Sequence, residues 1–253
     1  MSLHVERSGA GQNLVLLHGW GLHSGVWTEL LPALCARHHV HAIDLPGHGL
    51  SAAVRVGTLD EAVDAIADIV PGGSDVCGWS LGGLVAQRLA QLHPGKVRAL
   101  VLASTSPCFL QRSDWPHAML ASTLEEFAAG LRVDREATLV SFVRLNALNG
   151  TQPREAIRAF TQRLFDRGAP SPEALAATLG WLRETDLRAQ AAQLPRRTLL
   201  LHGARDAIVP VAAVRWLAAA IPGAVLQEWP DAAHLPFFTH REAFVAALES
   251  FIG

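Results

Sequence analysis

A serine, a carboxylate and a histidine, the set that activates a hydroxyl for attack on a carbonyl, stand in this chain where loops follow apolar runs. Gly78-Trp79-Ser80-Leu81-Gly82 is a G-x-S-x-G pentad between the run Asp75–Gly78 and a helical pattern from Leu81 to His93. A serine in that setting sits on a sharp strand-to-helix turn. The turn lifts its hydroxyl above the sheet, against a helix N-terminus whose partial positive charge favours a developing anion. The plainer alternative is a glycine-rich turn in which the serine only caps the helix.

The hydroxyl becomes a nucleophile only when a base takes its proton, and the base needs a carboxylate to hold its tautomer. For such a pentad the acid and then the histidine follow along the chain. Asp206 stands in His202-Gly203-Ala204-Arg205-Asp206 and His234 in Asp231-Ala232-Ala233-His234-Leu235-Pro236, each in a loop after an apolar run. Active sites of open α/β sheets collect in such loops. Asp206 could instead serve a turn. Asp231 is a rival acid, too near His234 for the expected order, and His202 and His240 are rival bases. The oxyanion formed on attack needs two backbone N–H donors. Leu81, after the nucleophile, supplies one. Trp20, in His18-Gly19-Trp20-Gly21, supplies the other while its indole walls the pocket, unless it is simply core. His18 reads as a residue that holds this loop.

These side chains need a frame, and the pattern of apolar runs supplies one. Leu14–Leu17, Val40–Ile43, Asp75–Gly78, Ala99–Ala103, Thr198–His202 and Val225–Trp229 read as short strands, each continuously apolar as if covered on both faces. Helical patterns at Leu59–Val70, Leu81–His93 and Val211–Ala220 alternate with them. The fold class is therefore α/β, with a mostly parallel sheet and helices on both faces. From Phe109 to Glu184 the alternation stops. Helical stripes there carry Leu139, Phe142, Leu145 and Leu148, then Ile157, Phe160 and Leu164, then Leu175, Leu179 and Leu182 after the N-cap pair Ser171-Pro172. The expected organisation is a core over 1–108 and 185–253, interrupted by an all-helical lid over 109–184.

Composition narrows the function classes. The 253 residues are 50% hydrophobic and 17% charged, which excludes a disordered chain. Twenty-one basic against 23 acidic side chains leave a net charge of −2, so no global field attracts nucleic acid or an anionic membrane. Between Arg132 and Arg167, however, seven arginines face four acids, a local +3. The longest apolar runs are too short to span a bilayer, and the first ten residues lack the apolar stretch of a signal peptide; the expected location is cytoplasmic. Cys35, Cys77 and Cys108 form no pair or metal motif, and His38, His39 and His41 lack ligand spacing. Gly47-His48-Gly49 falls short of a dinucleotide fingerprint. Catalysis without metal or cofactor is expected.

The loop His18-Gly19-Trp20-Gly21, the segment Asp44-Leu45-Pro46-Gly47-His48-Gly49-Leu50-Ser51, the Ser80 pentad and the Asp206 and His234 loops together resemble the α/β-hydrolase superfamily along the whole core. More narrowly, Trp in the oxyanion loop, Trp at the pentad's second position, Ser106-Pro107-Cys108-Phe109 and Ala232-Ala233-His234-Leu235-Pro236-Phe237 look like the pimeloyl-acyl-carrier-protein methyl ester carboxylesterases of biotin synthesis. The resemblance implies a triad of Ser80, Asp206 and His234. It also implies an acyl site lined by Trp20 and Leu81, and substrate contact by the lid segment Phe142, Val143, Arg144, Leu145 and Asn146. Arg154 and Arg158, four apart on one helix, match lid arginines that grip an acidic acyl carrier protein; two other such positions hold Ala137 and Ser141. A monomer is expected. The residues alone also admit a broad esterase, a lactonase, a carbon–carbon hydrolase or a cofactor-free haloperoxidase, and a binding module with a relict triad. A dehalogenase would want a carboxylate where Ser80 stands.

Overall fold

The computed structural model describes residues 2–253. The apolar runs become one seven-stranded sheet of β1 (Val5–Ser8), β2 (Gln12–Leu17), β3 (His38–Ile43), β4 (Ser74–Trp79), β5 (Val97–Ala103), β6 (Thr198–Gly203) and β7 (Val225–Trp229). Their order across the sheet is β1-β3-β2-β4-β5-β6-β7. Every pairing is parallel except that of β1, which runs antiparallel to β3. The helices are α1 (Leu31–Leu34), α2 (Leu59–Ile69), α3 (Leu81–Leu92), α4 (Ala121–Val133), α5 (Arg135–Ala147), α6 (Pro153–Asp166), α7 (Pro172–Glu184), α8 (Val211–Ala220), α9 (Pro236–Thr239) and α10 (Arg241–Ile252).

Strand order decides where a ligand can sit. From β2 the chain goes outward to β3, then returns across β2 to β4, so the crossover direction reverses between β2 and β4. In open α/β sheets that reversal opens a crevice at the carboxyl ends of the strands concerned. The loops that leave there carry Trp20 and Ser80. Every residue of β4 is buried, as a central strand covered on both faces requires. β7 departs from that expectation: only Trp229 is buried and Val225 is half exposed, because this strand pairs with β6 alone and forms the sheet's edge.

Between β5 and β6 the chain forms four helices, α4 to α7, where periodicity marks three. α6 packs on α5, α5 on α4 and α4 on α7, so α6 and α7 stand at opposite ends of the row. Polar ties bind three of these helices to the sheet domain, α5 through Asn146 O, which accepts from His234 N–H at 3.3 Å. At the end of α6, His23 Nε2 lies 2.6 Å from Arg163 O and 2.7 Å from Asp166 Oδ1. Arg167 follows, donating to Ser24 Oγ at 2.9 Å and Glu6 Oε2 at 3.0 Å. On α7, Leu175 O accepts from the Trp20 indole and Trp181 donates to Gly57 O, both at 3.1 Å. α4 makes no hydrogen bond to the sheet domain among the described residues; apolar packing alone holds it there.

Candidate active site

Backbone contacts shape the turn between β4 and α3. A Cβ on Gly78 would stand 2.3 Å from Gly82 O, and one on Gly82 would stand 2.3 Å from Leu17 O. Both positions must lack a side chain for strand, helix and the neighbouring strand to approach this closely. Ser80, between them, has φ 54° and ψ −117°, a conformation that costs a non-glycine residue about 1–3 kcal/mol and persists only when its surroundings impose it. They do so here. Ser80 N–H donates to Ala103 O at 2.9 Å, and Ser80 O accepts from Gly83 N–H at 2.9 Å and the Thr105 hydroxyl at 2.7 Å. The Ser80 side chain caps nothing, so the helix-capping alternative fails and the hydroxyl is free for chemistry.

The loops after β6 and β7 bring Asp206 to His234. His234 Nδ1–H donates to Asp206 Oδ2 at 2.7 Å with both side chains fully buried. The other carboxylate oxygen accepts from Ile208 N–H at 2.8 Å and Val209 N–H at 2.9 Å. Asp206 therefore builds its own turn with one oxygen and holds the histidine with the other. Burial alone would raise its pKa, but the facing His234, the hydrogen bond from it, His202 and the Val209 N–H outweigh burial and leave it below the ordinary carboxylate value. With Nδ1 engaged by Asp206, His234 leaves Nε2 buried and without a hydrogen-bond partner among the described residues.

One tryptophan joins the pentad to the histidine loop. Trp79, immediately before Ser80, donates its indole N–H to His234 O at 2.9 Å, and its ring lies 5.5 Å from the imidazole. The rivals pair elsewhere. His240 contacts Asp231 at 3.1 Å near the surface. His202 lies 3.7 Å from Asp206 Oδ2 but directs Nε2–H to Val209 O at 3.0 Å, closing the loop that carries Asp206. Sequence reasoning weighed His202 only as a base; its position just before the Gly203 loop is the signal that it braces that loop.

Neither the Trp20 nor the Leu81 backbone N–H is spent on an acceptor among the described residues. The Trp20 loop is held by His18, whose Nδ1–H donates to Gly19 O at 2.8 Å while Nε2 accepts from Leu45 N–H at 2.9 Å. Burial first, and then the nearby His48, push the His18 pKa down to about 3, so the ring stays neutral and can accept through Nε2. His48 is lowered to about 4, again chiefly by burial. Asp44 joins the same segment to its neighbours, accepting from Ser24 N–H at 2.7 Å and Leu50 N–H at 2.8 Å.

Trp20, Ser80, Phe109, Phe142, Leu179 and Ile208 line one small apolar pocket, with Leu124 from α4 among its walls. The Phe142 ring meets Trp20 edge-on at 4.9 Å. Val143 and Asn146 are buried, and Asn146 O accepts from His234 N–H at 3.3 Å. Leu145 is partly buried, whereas Arg144 points to the surface with Arg154 and Arg158. No group of three or more His, Cys, Asp or Glu side chains is assembled for a metal ion among the described residues. No described helix is long and apolar enough to cross a membrane. A strained serine, a buried histidine–aspartate pair and two unspent backbone N–H groups are the set that attack on a carbonyl would require.

Residues 12–241 match the family described as alpha/beta hydrolase fold. A pimeloyl-[acyl-carrier protein] methyl ester esterase of Chromobacterium violaceum is 44% identical over 248 residues, covering 98% of this chain and 97% of its own. Its counterpart in Nitrosomonas europaea is 41% identical over 250 residues, covering 98% and 99%. Among solved structures, a bromoperoxidase from Bacillus anthracis superposes with a TM-score of 0.91 at 24% identity, covering 99% of this chain and 95% of that one. That last likeness concerns the fold.

Proposed function

The chain belongs to the α/β-hydrolase family, and from that premise we propose that it is a serine carboxylesterase that hydrolyses the methyl ester of pimeloyl-acyl carrier protein, releasing the pimeloyl carboxylate and methanol for biotin synthesis. The full-length relatives named for that reaction support the substrate. The observation that carries the chemistry is the buried His234–Asp206 pair of 2.7 Å, tied by Trp79 to a strained Ser80 that caps nothing.

His234 Nε2 takes the Ser80 proton as Oγ attacks the ester carbonyl, and Asp206 holds the resulting imidazolium through Nδ1–H. The Trp20 and Leu81 N–H groups meet the oxyanion; losing one such donor typically costs about 10²–10³ in rate. His234 then protonates the departing methoxide, and the acyl-Ser80 ester is opened by a water that gives its proton to the same nitrogen. Phe142, Val143, Leu145 and Asn146 enclose the acyl side, and Arg144 is exposed beside them. Arg154 and Arg158 are exposed and meet no acidic side chain among the described residues, a state that supports docking of an acidic carrier. Free Cys35, Cys77 and Cys108 support a reducing compartment, the cytoplasm.

Ser80→Ala should remove turnover of both a short p-nitrophenyl ester and the carrier-bound methyl ester while the fold and melting behaviour persist. Turnover retained in that variant would overturn the assignment. Rates on carrier-bound against free monomethyl pimelate test the substrate: equal kcat/KM would favour a general esterase.

A further inference from the structure

The pocket at Ser80 is nearly filled. Its walls leave about 20 Å³, room for roughly one water molecule. Leu124 and Leu179 also line a second cavity, of about 360 Å³, between α4 and α7. That volume lies in the range of small-molecule sites, roughly 300–1,000 Å³. Its other walls include Leu110, Ala128, Leu131, Ala176 and Gly180, together with the charged Glu125, Arg132 and Arg183. Leu124 and Leu179 are the residues the two spaces share, and Ser80 lines the smaller one.

Which part of an ester would enter follows from the order of the insertion's helices. The exposed arginines read as the carrier surface stand on α6, and the cavity lies between α4 and α7, at the other end of the row. An acyl chain arriving from the α6 side puts the ester's alkoxy group toward Leu124 and Leu179. Resting on the esterase reading above, we propose that the α4/α7 cavity is the alcohol-side subsite of the same centre, and that esters of linear alcohols such as butanol and hexanol are substrates. The step is otherwise unchanged. The Ser80 Oγ–acyl bond forms, the bond from carbonyl carbon to alkoxy oxygen breaks, and His234 gives that oxygen its proton. The free alcohol is left in the cavity, and water then hydrolyses the acyl-serine. Each methylene taken from water should raise kcat/KM by a factor of about 4.

Gly180 offers a clean block, since a Cβ there would meet nothing within 4 Å and phenylalanine favours a helix over glycine. Ala128→Phe fills the cavity from the opposite wall. The measurement is kcat/KM for methyl, butyl and hexyl butyrate, with a parallel series of methyl esters of lengthening acids, on the wild type, Gly180→Phe and Ala128→Phe. Melting temperature serves as the fold control. The wild type should prefer hexyl over methyl butyrate, and the ratio should fall at least tenfold in both variants while the acyl series keeps its shape. A wild type without that preference, or variants that leave the ratio unmoved, would overturn the subsite. A change confined to the acyl series would overturn its orientation. Absence of wild-type turnover on methyl butyrate would instead count against the esterase reading itself.

Discussion

The turn that carries Ser80 and the four-helix insertion above it are positioned by opposite means. Around Ser80 the determinants are main-chain atoms: Gly78 and Gly82 admit Leu17 and Gly82 carbonyls where a Cβ would stand, and backbone hydrogen bonds hold the serine in its strained conformation. The insertion is held chiefly by side chains, through apolar packing and a few ties such as His23 to Asp166 and Arg167 to Glu6. Charge is divided within the insertion itself. Arg163 and Arg167 meet carboxylates of the sheet domain, whereas Arg132, Arg144, Arg154 and Arg158 stand exposed without one among the described residues. Rigid backbone suits a nucleophile that must not move; adaptable side chains and unspent charge suit a surface that must admit and recognise a substrate.

Four experiments press on that contrast. The largest effect falls on the rigid side: Asp206→Asn keeps the shape of the carboxylate but supports the wrong histidine tautomer, so kcat should fall about 10⁴-fold with the melting temperature nearly unchanged, as steady-state kinetics will check. Next, Gly82→Ala forces a methyl group toward Leu17 O and should destabilise the fold by about 3 kcal/mol or more, read by urea denaturation. An alanine placed at exposed Arg144 should cost under about 0.5 kcal/mol in the same assay, and equal losses at the two positions would erase the distinction.

Acid should find the sheet domain next. Unfolded, His18 and His48 take up protons near pH 6.5; folded, they stay neutral down to about 3 and about 4. Their contribution is complete above pH 6.5 and is lost as the pH falls through that window, by up to about 1.4 kcal/mol per pH unit for each ring. Denaturation midpoints measured from pH 7 to pH 4 should drop accordingly, and a flat profile would show that these rings are protonated in the fold. The smallest effect falls on the adaptable side. Reversing Arg154 and Arg158 to Glu should lower kcat/KM for the carrier-bound ester about tenfold at low salt, with the difference shrinking as salt rises. The free ester should be turned over as before.

Elements with local chemical punctuation were legible in the sequence. The pentad, the Gly203 loop and the histidine loop each follow a run that is apolar enough to be a strand. α7 announces itself with Ser171-Pro172, and the Ser171 hydroxyl does cap Ala174 N–H. α4 carries no such mark: Leu120 precedes it without a side-chain cap, Gly130 sits inside it, and Leu124 and Leu131 are its only buried residues. β1, Val5 to Ser8, is a strand because β3 lies beside it, and nothing in four mixed residues says so. The division between Ser80's pocket and the α4/α7 cavity depends on which helices meet, which is a property of the assembled insertion. Triad residues could thus be proposed from spacing, while the room around them could not.

The indole of Trp79 has a consequence for the making of this protein. Its hydrogen-bond partner, His234 O, lies 155 residues farther along the chain, and the acid that orients the histidine comes at position 206. A growing polypeptide therefore presents its serine on the ribosome long before a base exists to arm it. Hydrolytic competence should switch on late in synthesis, once β6 and β7 have joined the sheet and their loops have closed over the finished strands.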